Sequence, residues 1–206
     1  MMKNRKYGIR WMTGVALMAA VVVLLANTPL GMIQTPIIKA TTTHIPVILG
    51  AVLLGPLAGC LLGAVFGLCS LASNTFAPTL LSFAFSPFLS PTAVGAAKAL
   101  WISIGCRIMI GLVSGWLWVG LKKMKAPDLI GLPVVGFVGS MTNTVFVMGS
   151  IYFLLRPEYA NAMGVSADAV FGLVLGVITG SSILEAIAAL VLVTVLGKVL
   201  IHVVKK

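Results

Sequence analysis

Arg107, Asn143 and Glu185 are strongly polar groups set in stretches that are otherwise apolar. An arginine presents a planar fork of N–H donors that grips a carboxylate through two hydrogen bonds. An asparagine amide both donates and accepts. A glutamate takes a hydroxyl or pairs with a cation. Ionisable groups inside lipid cost at least ~2.5–3.5 kcal/mol unless they are paired or face a cavity, so each marks a functional position by default. Two uses fit these residues. One is a polar pocket between the last three helices. The other is an Arg107–Glu185 ion pair that holds helices together. The two are compatible, because Glu185 could hold Arg107 ready for a ligand carboxylate. Thr142 and Thr144 flank Asn143, and Ser181 and Ser182 precede Glu185 on the same stretch. His44, beside Thr42 and Thr43, serves as a local hydrogen-bonding residue or as a ligand contact.

Catalytic signatures are missing. The chain has no HExxH, no GxxxxGK[ST] loop and no close carboxylate pair. Its four acidic residues are Asp128, Glu158, Asp168 and Glu185, so coupling to an ion gradient would rest on Glu185 nearly alone. Cys60, Cys69 and Cys106 are odd in number and lack CxxC spacing, so they read as small core residues rather than as a disulfide or zinc framework. No enzyme activity, metal or cofactor is expected.

The elements that carry these groups belong in a bilayer. The chain has 206 residues, of which 60% are hydrophobic and 9% charged. A soluble domain carries about 25% charged residues. At roughly 20 residues per span, five to seven helices fit. Ten of the fourteen basic residues form three clusters: Lys3, Arg5, Lys6 and Arg10; Lys122, Lys123 and Lys125; Lys198, Lys205 and Lys206. Their place at span ends marks the cytoplasmic side. It also argues against nucleic acid as the partner of a chain with net charge +10. The basic start and the run Trp11 to Ala26 resemble a signal peptide, but the run is long and lacks a clear cleavage site, so a retained first helix is expected.

The expected fold is all-α, a single domain with six transmembrane helices and both termini inside. The first span runs over about 9–26. The run 45–72 is two helices turning at Gly55-Pro56, because a single helix would put the basic clusters on opposite faces. Spans four to six fall at about 98–121, 129–154 and 168–197. The segments 28–46 and 74–97 are long and semi-apolar, and are expected to be extracellular lids. On this reading Arg107 lies about 14 Å, Asn143 about 16 Å and Glu185 roughly 25 Å below the outer ends of their helices. Gly55, Gly59, Gly63 and Gly67 recur every four residues, as do Gly172, Gly176 and Gly180, and Gly111 precedes Gly115. Such stripes let backbones approach closely within the bundle. Ala16 and Ala20 give helix one a similar flat stripe.

The stretch ThrHisIleProValIleLeuGlyAlaValLeuLeuGlyProLeuAlaGly at 43–59 resembles substrate-binding subunits of energy-coupling factor vitamin transporters. So do AsnThrPheAlaPro at 74–78, SerPheAlaPheSerProPhe at 82–88 and AlaLeuMetAlaAla in helix one. The resemblance covers essentially the whole chain and is nearest to the pantothenate-specific branch. It implies a subunit of a prokaryotic plasma membrane that captures a vitamin from outside, while a transmembrane coupling subunit and two cytoplasmic ATPases supply energy. It also implies that Ala16 and Ala20 dock on the coupling subunit, and that loops 28–44 and 74–97 close over the ligand. Arg107 would take the pantothenate carboxylate. Asn143, His44, Thr43, Asn74, Ser181 and Ser182 are candidates for the amide and hydroxyls, and Glu185 must pair with Arg107 or accept from a hydroxyl. A subunit for another water-soluble vitamin remains open, as does a self-sufficient secondary transporter, although no convincing repeat relates the two halves.

Overall fold

The computed structural model describes residues 8–29, 31–34 and 39–204, with the main chain alone at 32–34, 39–40, 181 and 203–204. Lys3, Arg5, Lys6, Pro36, Lys205 and Lys206 lie outside the described residues. Five helical stretches among the described residues are long and apolar enough to cross a bilayer: Ile9–Ala26, Pro56–Phe76, Ala93–Lys123, Asp128–Leu154 and Ala167–His202. A bilayer-facing surface accompanies them. Leu17, Leu24, Leu68, Trp116, Phe153, Leu184 and Val199 are exposed side chains that water would not tolerate in such numbers. This is an all-helical, multi-pass membrane protein with one small hairpin.

Helix α1 is Ile9–Ala26, as the sequence predicts. Strands β1 (Met32–Gln34) and β2 (Lys39–Thr41) then pair antiparallel, with Ile33 opposite Ala40. This hairpin stands where a mixed loop is expected. Two bonds to Gly31 O tie it down, from Thr42 N at 3.1 Å and Thr43 Oγ1 at 2.8 Å.

Helix α2 (His44–Leu54) differs from the other membrane helices. Its 11 residues reach about 16 Å, half of a ~30 Å hydrocarbon core. His44 through Val52 are all buried, packed among α1, α3 (Pro56–Phe76), α5 (Cys106–Lys123), α6 (Asp128–Leu154) and α9 (Ser181–Val204). A helix this short is stable in a membrane because protein surrounds it. The expected turn at Gly55-Pro56 is present. Gly55 has φ +96°, a conformation that favours glycine, and Pro56 opens α3, where its missing N–H costs nothing.

Trp11 Nε1 donates to Leu54 O at 2.9 Å, so the start of α1 and the α2–α3 turn lie together. Gly115 of α5 packs on Pro56, and Gly197 of α9 on Leu132 of α6. Arg10, Lys122, Lys123, Lys125 and Lys198 therefore gather at one end of the bundle, called the basic end below.

Glycine sets the closest helix pair. A Cβ on Gly59 would lie 2.6 Å from Gly111 O, and one on Gly67 2.7 Å from Ile104 Cα. Helices α3 and α5 thus touch backbone to backbone, as their spacing predicts. The third stripe does not behave this way. Gly172 and Gly176 of α8 (Val170–Thr179) face open space, so their spacing serves no packing among the described residues.

Two further expectations need correction. The last span is not a continuous 168–197 helix. It breaks at Gly180 (φ −86°, ψ −98°), separating α8 from α9. The segment 74–97 is largely helical at both ends, since α3 runs to Phe76 and α4 (Ala93–Leu100) starts at Ala93. What lies between, 77–92, carries two short 3-10 turns, Ser82–Ala84 and Pro87–Leu89. Its Leu81, Ala84 and Phe85 are buried against Ile102, Cys106, Val147 and Met148. At the same end, Arg156–Met163 forms the short helix α7.

Candidate functional site

Helices α2, α5 and α6 carry buried polar atoms that have no hydrogen-bond partner. Among the described residues these are Nδ1 and Nε2 of His44, Nε of Arg107, Oγ of Ser114, Oγ of Ser140 and Oδ1 of Asn143. A buried group left unpaired costs ~1–3 kcal/mol. Six such atoms on three adjoining helices are therefore candidates to meet a polar ligand. Ser114, Gly139 and Ile48 meet where α5, α6 and α2 cross. Arg107 lies two turns above Ser114, and Asn143 one turn above Gly139, on the side away from the basic end.

Arg107 is 4% exposed. A π-helical turn, Trp101–Gly105, joins α4 to α5 just before it. Such a turn inserts one extra residue and changes the direction in which later side chains point. The carbonyl of Ile102 in that turn receives Nη1 at 3.4 Å, a long bond. The guanidinium carbon sits 5.2 Å from the Phe66 ring centre and 5.4 Å from that of Phe85, both within cation–π range.

His44 opens α2 and is fully enclosed. The Thr41 main chain lies beside it, outside hydrogen-bonding geometry. Glu185, half-buried near the start of α9, also adjoins the Thr41 main chain. The hairpin end thus meets the start of α2 and the first turns of α9. Arg107 and Glu185 lie close enough for their charges to interact, yet they form no ion pair. The expected structural pair is absent. The ion pairs among the described residues, Lys122–Asp128 and Arg156–Asp168, sit at the ends of the bundle.

Thr43, Ser182 and Asn74 are occupied elsewhere. Thr43 Oγ1 is bonded to Gly31 O, and Ser182 Oγ donates to Val177 O at 3.0 Å. Thr142 Oγ1 donates to Val138 O at 2.7 Å. The side chain of Ser181 lies outside the described residues. Asn74 lies on the last turns of α3, where Nδ2 donates to Ser70 O at 2.8 Å and Oδ1 accepts from Ser82 Oγ at 2.7 Å. Thr75 and Ser86 share a 2.7 Å hydrogen bond nearby. Asn74 therefore anchors segment 77–92. Replacing it with Ala removes the acceptor of the buried Ser82 hydroxyl, which keeps its bonds to Thr79 N at 2.8 Å and Thr79 Oγ1 at 3.2 Å. Thermal unfolding in detergent should show a loss of ~0.5–1.5 kcal/mol, the net value of a hydrogen bond.

Ala16 and Ala20 are exposed on the outward face of α1, while Val22 and Ala26 point inward. A cleft of about 820 Å³ between the ends of α1 and α3 is lined by Asn27, Thr28, Leu68 and Phe76, and includes none of the unpaired groups. Phe66, Phe85, Ser114, Ser140 and the π-helical turn escape the sequence reading. Ser114 is seven residues past Arg107, and Ser140 is three before Asn143. Helical spacing from the two obvious polar residues would have found both serines.

A family model described as "ECF transporter, substrate-specific component" matches residues 10–197. The pantothenic acid transporter PanT of Lactococcus lactis subsp. cremoris (strain MG1363) is 31% identical over 159 residues, covering 76% of this chain and 75% of that protein.

Proposed function

We propose that this chain, which belongs to the substrate-specific components of ECF transporters, captures pantothenate at mid-membrane and hands it on to energy-supplying partners. Members of the family are transporter components and not enzymes. The observation that carries the ligand assignment is Arg107, a buried guanidinium without a carboxylate partner, in a chain similar to a pantothenic acid transporter.

The basic end faces the cytoplasm of a prokaryotic cell, as the positive-inside rule requires. The hairpin and segment 77–92 then lie on the outer side and act as lids. On this topology α2 is the second of six passes, completed toward the outside by the hairpin. Pantothenate bears one carboxylate, an amide and two hydroxyls. Its carboxylate meets the Arg107 fork. Asn143, His44, Ser114 and Ser140 offer partners to the amide and hydroxyls, and Glu185 accepts from a hydroxyl. Thr43, Asn74 and Ser182 shape the walls through the bonds described above.

Ala16 and Ala20 form the docking stripe for a transmembrane coupling subunit, whose two ATPases supply the energy. Ala16→Trp is expected to abolish uptake in cells with the complete transporter, while leaving pantothenate affinity of the purified subunit within about twofold. Equal loss of binding and uptake would remove the docking role. The ligand assignment is tested by purifying the subunit in detergent and identifying bound small molecules by mass spectrometry. Pantothenate is the expected species. A different vitamin, bound reproducibly, would replace it.

A further inference from the structure

Arg107 is an unusual buried cation because aromatic rings, not a carboxylate, lie against it. Phe66 comes from α3, which packs backbone to backbone on α5. Phe85 comes from segment 77–92 and is 5% exposed. Aromatic faces attract a cation without consuming N–H donors. A carboxylate partner would have consumed two of them. The donors of Arg107 remain largely free, with Nε unpaired and Nη1 on one long bond. Glu185, the nearby carboxylate on α9, forms no ion pair with it.

Resting on the pantothenate reading, we propose that Phe85 is a specificity-determining residue. With Phe66 it takes the place of a protein counter-ion and reserves the Arg107 fork for a ligand carboxylate. Phe66 is fixed in the scaffold, whereas Phe85 belongs to the segment that covers the site. The cage around the charge is therefore complete only when 77–92 is packed down through Asn74–Ser82 and Thr75–Ser86. The consequence is selectivity for a carboxylate over a neutral group of the same size.

The test titrates the purified subunit with pantothenate and with pantothenol, in which a CH₂OH group replaces the carboxylate. The native protein should prefer pantothenate. Phe85→Leu and Phe85→Met keep apolar bulk without a ring, and should lower that preference about tenfold while changing pantothenol affinity by less than about twofold. Phe66→Leu should act the same way from the other element, and Phe85→Tyr should retain most of the preference. An unchanged ratio in Phe85→Leu overturns the proposal. So does equal loss of both ligands, or failure of all the ringless variants to fold, since each makes the ring a packing residue. If native protein binds both compounds equally, this inference falls and the vitamin reading stands. If it binds no pantothenate, both fall.

Discussion

Arg107→Ala should lower pantothenate affinity by about 100-fold or more while the protein still elutes as a folded monomer in detergent. Truncating one side of a buried, hydrogen-bonded charge pair costs ~2–5 kcal/mol in binding. Stability should not suffer comparably. Arg107 makes one weak hydrogen bond and two ring contacts, and its removal also relieves an unpaired buried donor. Arg107→Lys should recover little, because an ammonium lacks the planar fork and stacks poorly on rings. Isothermal titration of the three proteins decides the matter. Affinity unchanged in the alanine variant would remove Arg107 from the site.

Gly63→Leu should be as damaging by a different route. A Cβ there would lie 2.9 Å from both the carbonyl carbon of Arg107 and the Cα of Ile108. No side chain can move aside, since the obstacle is the main chain of α5. Ordinary core overpacking costs ~1–3 kcal/mol, and prying two helices apart should exceed it. The displaced residue would be Arg107 itself, so binding should fail together with folding. Gly172→Leu is the matched control, because Gly172 faces open space. Yield and thermal unfolding of the two variants should differ sharply. Similar behaviour would mean that the α3–α5 contact does not hold the bundle together.

Much of this architecture was legible because hydrophobic runs and glycine spacing are local signals. The bounds of α1, the turn at Gly55-Pro56 and the α3–α5 glycine contact follow from them directly. Arg107 and Asn143 stood out because lipid makes buried polarity costly. The π-helical turn did not, since an apolar run reads the same with or without one inserted residue. The break at Gly180 was hidden within a glycine stripe that equally suits an unbroken helix. The stripe in α8 misled because spacing records a flat face without recording what lies against it. Asn74 looked available in sequence, yet Ser70 and Ser82 claim it through contacts that only the folded segment provides. The Arg107–Glu185 pair was inferred from opposite charges, but two aromatic residues, unremarkable in such an apolar chain, hold the guanidinium instead.

The most direct test of the division between capture and energy supply uses this subunit alone in sealed vesicles, with labelled pantothenate outside. The expected result is saturable binding of one ligand per subunit, independent of ATP and of any ion gradient, with no accumulation inside. Absence of binding, or gradient-driven accumulation by the subunit alone, would contradict it.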